Sequence, residues 1–246
     1  MDRKIRVGAV SYLNTKPLLY GIERSPLLEK MELITDYPAS IAALLLKDEI
    51  DIGLVPVAII PEMKEYHINT RYVIGCNGPV ASVCLFSAVP VEKLETVLLD
   101  YQSRTSVALV KILLREYWKI NPVFKEAGPG FQDEIKDSVG AVMIGDRALK
   151  QRSVSAYTYD LGEAWKKMTG LPFVFAAWIS NKKLDPEWVS AFDQANGVGV
   201  HHIDQVLEGL DNSLFNLKKY YTQYLSYELD PEKEKGMQAF LEMMRR

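Results

Sequence analysis

The strongest constraint on this chain is a rhythm that starts, breaks and starts again. From Ile5 onward, short runs rich in valine and isoleucine alternate with longer helical patterns. That alternation belongs to α/β proteins with a largely parallel sheet. Ile5–Val10 reads as a first strand, Ser11 to Thr15 as a loop, and Lys16-Pro17-Leu18 as the opening of a short helix, where proline fits the first turn. Strands at Met31–Tyr37 and Ile52–Val55, with a helix at Pro38–Lys47 between them, complete a β-α-β-α-β unit.

Asn77-Gly78 then interrupts the pattern. This dipeptide favours tight hairpin turns, so Tyr72–Cys76 and Val80–Ser87 are expected to pair antiparallel. After Pro90 the alternation restarts, with strands at Thr96–Leu99, Val123–Ala127, Ala141–Ile144 and Phe173–Ile179 and helices at Ser103–Trp118 and Leu161–Thr169. Beyond Asn181 the chain reads as almost wholly helical. Asp185-Pro186 and Asp230-Pro231 each pair a capping residue with a first-turn proline. Each α/β unit is too small to bury a large sheet alone, and the helical tail needs a sheet to cover. The economical arrangement is a two-lobed α/β protein with a ligand cleft between the lobes. Residues 1–88 and 179–246 form the lobe that carries both termini, and residues 89–178 are the inserted lobe. The chain then crosses near Ser87–Pro90 and returns near Trp178–Asn181.

Composition narrows the chemistry. With 29 Lys and Arg against 32 Asp and Glu, the formal charge is −3, so no broadly basic nucleic-acid surface is expected. Cys76 and Cys84 give neither a disulfide framework nor a CxxC pair and read as small apolar filling. His67, His201 and His202 offer no metal-ligand spacing. The apolar run Val7–Val10 is too short for a secretion signal, and no stretch is long enough to span a bilayer. A cytoplasmic chain is the expectation. Gly-rich phosphate loops, GxSxG elbows and HExxH pairs are absent.

In open α/β sheets, ligands sit outside the carboxyl ends of the strands. Here those ends deliver Ser11, Tyr12, Asn14 and Thr15 after the first strand and Ser40 after the second. The hairpin strand carries Ser82. Asp100 leads into Ser103-Arg104-Thr105-Ser106, and Ile144 leads into Gly145-Asp146-Arg147. Hydroxyls and free N–H groups at a helix start make an anion site, to which Arg104 can add a guanidinium fork or from which it can turn to solvent. The same residues also have ordinary uses. Ser103, Thr105 and Ser106 can cap a helix, Asp146 a turn, and Ser11 and Asn14 can form turns. Tyr220, Tyr224 and Tyr227 follow i, i+4, i+7 spacing, which is usually a core-facing stripe. Asp100 and Asp146 could form an acid–base pair, but the sequence does not fix their separation. The sum is a cleft of hydroxyls, an amide and backbone donors, suited to a small carboxylated ligand in either an enzyme or a binding protein.

Several motifs carry a resemblance. Val7-Gly8-Ala9-Val10-Ser11-Tyr12-Leu13-Asn14-Thr15-Lys16-Pro17-Leu18 resembles the opening of the chorismate dehydratase family, from the futalosine route to menaquinone. Leu99-Asp100 with Ser103-Arg104-Thr105-Ser106-Val107-Ala108-Leu109 is similar to that family's second signature. Ile144 to Leu149, Tyr159 to Trp165, Thr169 to Ala176 and Tyr227-Glu228-Leu229 match in the right order. The chain departs from the family at Pro38-Ala39-Ser40, where Pro-Ser is usual, and at Val57, where a serine is expected.

The resemblance implies a periplasmic-binding-protein-like fold of the second type. It implies elimination of water from chorismate to give 3-[(1-carboxyvinyl)oxy]benzoate, with no metal or organic cofactor. Asn14 and Ser82 are expected at the reacting carbons. Ser11, Tyr12, Ser40, Ser103, Arg104, Thr105, Ser106 and Asp146 are expected around the substrate. The base is either Asp146 or the substrate's own enolpyruvyl carboxylate. A homodimer is compatible with these features. The rival reading is a non-catalytic cytoplasmic binding or sensor domain for a small carboxylate.

Overall fold

The computed structural model describes residues 3–245. Its strands are β1 (Ile5–Val10), β2 (Met31–Asp36), β3 (Ile52–Pro56), β4 (His67–Cys76), β5 (Val83–Ser87), β6 (Thr96–Leu99), β7 (Val123–Glu126), β8 (Val139–Ile144), β9 (Tyr157–Asp160), β10 (Phe173–Ser180) and β11 (Ser226–Glu228). Its helices are α1 (Lys16–Ile22), α2 (Pro38–Leu46), α3 (Thr105–Glu116), α4 (Gly145–Gln151), α5 (Leu161–Thr169), α6 (Pro186–His201), α7 (Ile203–Leu207), α8 (Leu217–Lys219) and α9 (Pro231–Met244). A π-helical turn, Tyr220–Tyr224, follows α8 directly.

Two mixed sheets define two lobes. The first has the order β11-β4-β10-β3-β1-β2, and the second β7-β6-β8-β5-β9. In the first, β1 lies parallel to β2 and β3, while β10 runs antiparallel to β3 and β4. In the second, β6 is parallel to β7 and β8, while β5 is antiparallel to β8 and β9. The parallel pairs are the β-α-β units read from the sequence. Asp185 and Asp230 cap α6 and α9 as their spacing to the following proline predicts, each accepting from the backbone three residues on.

The hairpin reading fails. β4 and β5 do not pair, because they belong to different sheets. Gly78 has φ +124° and Ala81 has φ +63°, so the segment between the strands is not a two-residue turn. The Val80 and Ala81 N–H groups donate instead to Asp160, at 2.8–3.1 Å. The crossings move accordingly. The chain leaves the first sheet between Cys76 and Val83, not near Ser87–Pro90. It returns between Asp160 and Phe173, not near Trp178–Asn181, since all of β10 lies in the first sheet. The lobe boundaries expected at 88 and 179 therefore each fall several residues too late.

Asp160 ties the two crossings together. Besides Val80 and Ala81, its carboxylate accepts the Gly162 and Glu163 N–H groups that open α5. Beyond α5, the rings of Trp165, Phe173 and Phe240 meet edge-on at centroid distances of 5.0–6.3 Å. This cluster packs α5, β10 and α9 together where the chain re-enters the first lobe. On the opposite flank, α1 lies so close to α6 that a Cβ at Gly21 would sit 2.0 Å from the Ala195 carbonyl oxygen. That contact anchors the helix into which the β1 loop runs.

Four backbone donors, three of them buried, depend on one carboxylate, and truncating it leaves them unpaired. Asp160→Ala is expected to destabilise the protein by about 3 kcal/mol, seen as a lower midpoint in urea unfolding. An unchanged midpoint would mean that water replaces the carboxylate as the acceptor of these N–H groups.

Candidate active site

The carboxyl ends of β1 and β3 and the amino-terminal half of β10 face the start of α3 and the loops after β4 and β8. Between them lies a cavity of about 50 Å³, lined by residues of both lobes. Tyr12, Asn14, Ser82, Ser103, Thr105 and Ser106 all border it. So do Val10, Leu54, Ile74, Ile144 and Phe175, which supply apolar walls. No lysine or arginine among the described residues lines it. Ligand pockets usually measure about 300–1,000 Å³, so this cleft is narrow, and a drug-sized ligand needs the lobes further apart.

Hydrogen bonds across the cleft hold it narrow. The Gln102 carbonyl accepts the Ala39 N–H at 3.1 Å, and its side-chain oxygen accepts the Tyr12 hydroxyl. Asp146 accepts the Leu13 N–H at 3.1 Å. The Tyr12 ring lies over Gly145, which has φ +63°, and a Cβ there would come within 2.8 Å of the ring. The sequence reading missed Gln102, whose only signal was its place in the Asp100–Ser103 loop.

Four lining side chains keep donors for a ligand. The Asn14 amide oxygen accepts from Thr15 at 3.1 Å, and its NH2 group donates to no described residue. Ser82 accepts from the Tyr220 hydroxyl at 2.6 Å, and its own hydrogen has no acceptor among the described residues. Ser103 accepts the Ser106 N–H at 3.1 Å, which caps α3, and its hydroxyl hydrogen is likewise unclaimed. The Ser106 hydroxyl makes no hydrogen bond to a described residue. The twelve-residue α3 adds its positive dipole end to these donors.

Other expected residues do different work. Thr105 is buried, donates to the Phe175 carbonyl at 2.9 Å and accepts the Ala58 N–H at 3.2 Å. Its hydroxyl pins α3 to the first lobe and is not available for a carboxylate. Arg104 turns away to an exposed ion pair with Glu62 at 3.2 Å. Ser40 donates to Asp36 at 2.6 Å, and Ser11 is exposed outside the cavity. Asp146 does not border the cavity and holds the loop that carries Asn14. Asp100 is no partner for it. Buried Asp100 takes both oxygens to Arg147 at 2.8 Å and accepts the Ile144 and Gln102 N–H groups.

The fold resembles solved proteins of known type. A structure from Archaeoglobus fulgidus superposes with a TM-score of 0.76 at 15% identity, covering 98% of this chain and 97% of that one. The periplasmic aliphatic sulphonate-binding protein of Escherichia coli gives a TM-score of 0.62 at 14% identity, over 100% and 92% of the two chains. The architecture is thus periplasmic-binding-protein-like, as the motifs imply. The sequence decides the family. A model of the menaquinone biosynthesis family matches residues 5–246. The chain belongs to that family. A chorismate dehydratase from Thermus thermophilus is 28% identical, covering 97% of this chain and 94% of the relative. For this menaquinone biosynthesis family member, no helix among the described residues is long and apolar enough to cross a membrane.

Burial raises the Asp146 carboxyl above the usual aspartate range, against the lowering pull of the Leu13 N–H. A carboxyl raised on folding binds protons more readily in the native state. Its ionised form therefore costs stability as pH climbs from the ordinary value of about 3.9 through the folded value. Asp146→Asn keeps an acceptor for Leu13 and removes that cost. The variant's unfolding free energy relative to wild type is expected to rise with pH across this window, measured by urea titration at several pH values. A flat difference would contradict the burial argument.

Proposed function

We propose that this protein dehydrates chorismate to 3-[(1-carboxyvinyl)oxy]benzoate and water, in the futalosine route to menaquinone. The observation that carries the reading is the interlobe cavity, where unclaimed donors of Asn14, Ser82, Ser103 and Ser106 converge between apolar walls. The family and the relative's activity agree with it.

The reaction breaks the C3–H and C4–O bonds of the substrate ring and forms a C3–C4 double bond. The proton and the hydroxyl leave together as water, and the ring becomes aromatic. No electrons enter or leave, and aromatisation makes the change downhill, so no cofactor is needed. The kinetic difficulty is the proton. Its loss places negative charge that spreads into the ring carboxylate, and donors aimed at that carboxylate stabilise the transition state. The start of α3 with Ser103 and Ser106 supplies such donors. Asn14 and Ser82 face the reacting carbons from opposite lobes, and a hydroxyl donor there assists the departing oxygen.

The base is the substrate's own enolpyruvyl carboxylate in this reading. Asp146 lies outside the cavity and is occupied by Leu13. Asn14, as an amide, orients and donates. Lobe closure excludes water while charge develops. The protein works in the cytoplasm, where chorismate is made.

Purified protein incubated with chorismate is expected to yield a product lighter by one water, with a new aromatic absorption band. Asn14→Ala is expected to lower kcat about 100-fold. Tight chorismate binding without turnover in the wild type would instead favour a non-catalytic sensor. Full turnover in Asn14→Ala would remove that residue from the mechanism.

A further inference from the structure

The π-helical turn Tyr220–Tyr224 and strand β11 stand behind the cavity, outside its lining. Three tyrosine hydroxyls from this C-terminal segment reach the segments that carry Asn14 and Ser82. Tyr220 donates to Ser82 Oγ at 2.6 Å, Tyr221 to the Leu13 carbonyl at 3.0 Å, and Tyr227 to the Asn14 carbonyl at 2.8 Å. Tyr220 and Tyr227 are buried in the core, although Tyr227 stands on β11 and not on one helix with Tyr220, and their hydroxyls reach the site rather than merely filling space. Neighbours in an ordinary α-helix project about 100° apart. Here Tyr220 and Tyr221 lie side by side, with ring centroids 5.6 Å apart, in a π-helical turn closed by Leu225 N–H donating to the Tyr220 carbonyl. Such turns recur at functional sites.

We propose that Tyr220 is a positioning residue for the dehydration: by donating its hydroxyl to Ser82, it leaves the Ser82 hydrogen to point into the cavity as the donor for the departing oxygen. The inference rests on the chorismate reading for its assay. A serine hydroxyl has one hydrogen and two lone pairs. Unconstrained, Ser82 rotates between donating and accepting. With Tyr220 donating into one lone pair from behind, the Ser82 hydrogen is turned away from Tyr220 and stays free to donate to a ligand. Burial raises the Tyr220 hydroxyl far above its ordinary value, so it stays protonated and donates throughout the working range. Its ring packs against Phe215 and Tyr221, contacts that phenylalanine keeps.

The test is a double-mutant cycle read in kcat and KM. Tyr220→Phe is expected to lower kcat about 10-fold with little change in KM, and to have no further effect in a Ser82→Ala background. Tyr224→Phe, which removes a neighbouring hydroxyl that makes no hydrogen bond to a described residue, is the matched control and keeps wild-type kcat. The proposal is overturned if Tyr220→Phe retains wild-type kcat, or if its loss is equally large without Ser82. Should Tyr220→Phe fail to fold, 3-fluorotyrosine at position 220 keeps the ring and makes a stronger donor. It is expected to shift kcat only when Ser82 is present, and an equal shift without Ser82 overturns the proposal. The wild-type assay separates this inference from the function itself. A wild type that leaves chorismate unchanged overturns the function, whereas a wild type that dehydrates chorismate while Tyr220→Phe keeps the same kcat overturns only the positioning.

Discussion

One buried carboxylate organises the passage between the lobes. Asp160 closes the last strand of the second sheet, caps the helix that follows and holds the Val80–Ala81 turn through backbone donors. Ser82 is the next residue after that turn, and its carbonyl accepts the Gly145 N–H at 2.8 Å. The outgoing crossing, the return and a cavity-lining hydroxyl thus share one anchor. Ala81 is held at φ +63°, a conformation costly for a residue with a side chain. The hydrogen bond from its N–H to Asp160 is the interaction that keeps it there.

The same economy governs charge. The chain carries a formal charge of −3, and no cationic side chain among the described residues borders the cavity. Arg147, the nearest guanidinium to the Tyr12 loop, is taken up by Asp100 and Gln102. Recognition of an anion here relies on neutral donors and a helix end. Such groups discriminate by direction and distance, while a lysine would attract any anion of suitable size. The apolar walls strengthen each donor by lowering the local dielectric.

Much of this was legible in the sequence. The strands from Ile5 and Met31, the helices at Pro38 and Leu161 and both Asp-Pro caps follow from local periodicity and local capping, which is why they agree so closely with the structure. The order of the two lobes also followed, because a helical tail must find a sheet. Asn77-Gly78 misled because turn propensity is local, while the partner that decides the turn lies 80 residues on at Asp160. The site divides in the same way. The structure brings Tyr12, Asn14, Ser82, Ser103, Thr105 and Ser106 to one cavity. The side chains of Arg104, Ser40 and Thr105 are claimed by partners that spacing cannot reveal, namely Glu62, Asp36 and the Phe175 carbonyl. Tyr220 and Tyr227 are core as the stripe reading expected, but not on one helix, since Tyr227 stands on β11, and periodicity is blind to where a buried ring aims its hydroxyl.

The smallness of the cavity has a kinetic meaning. Its two walls are joined by Tyr12 with Gln102, Ala39 with Gln102, and Leu13 with Asp146. Each cycle of ligand exchange must break and remake all three contacts. Passage through the site is therefore gated by hinge motion on the microsecond-to-millisecond scale, and solvent viscosity becomes a variable of turnover. A molecule too bulky for the lobes to shut upon it is rejected at this step, before any chemistry begins.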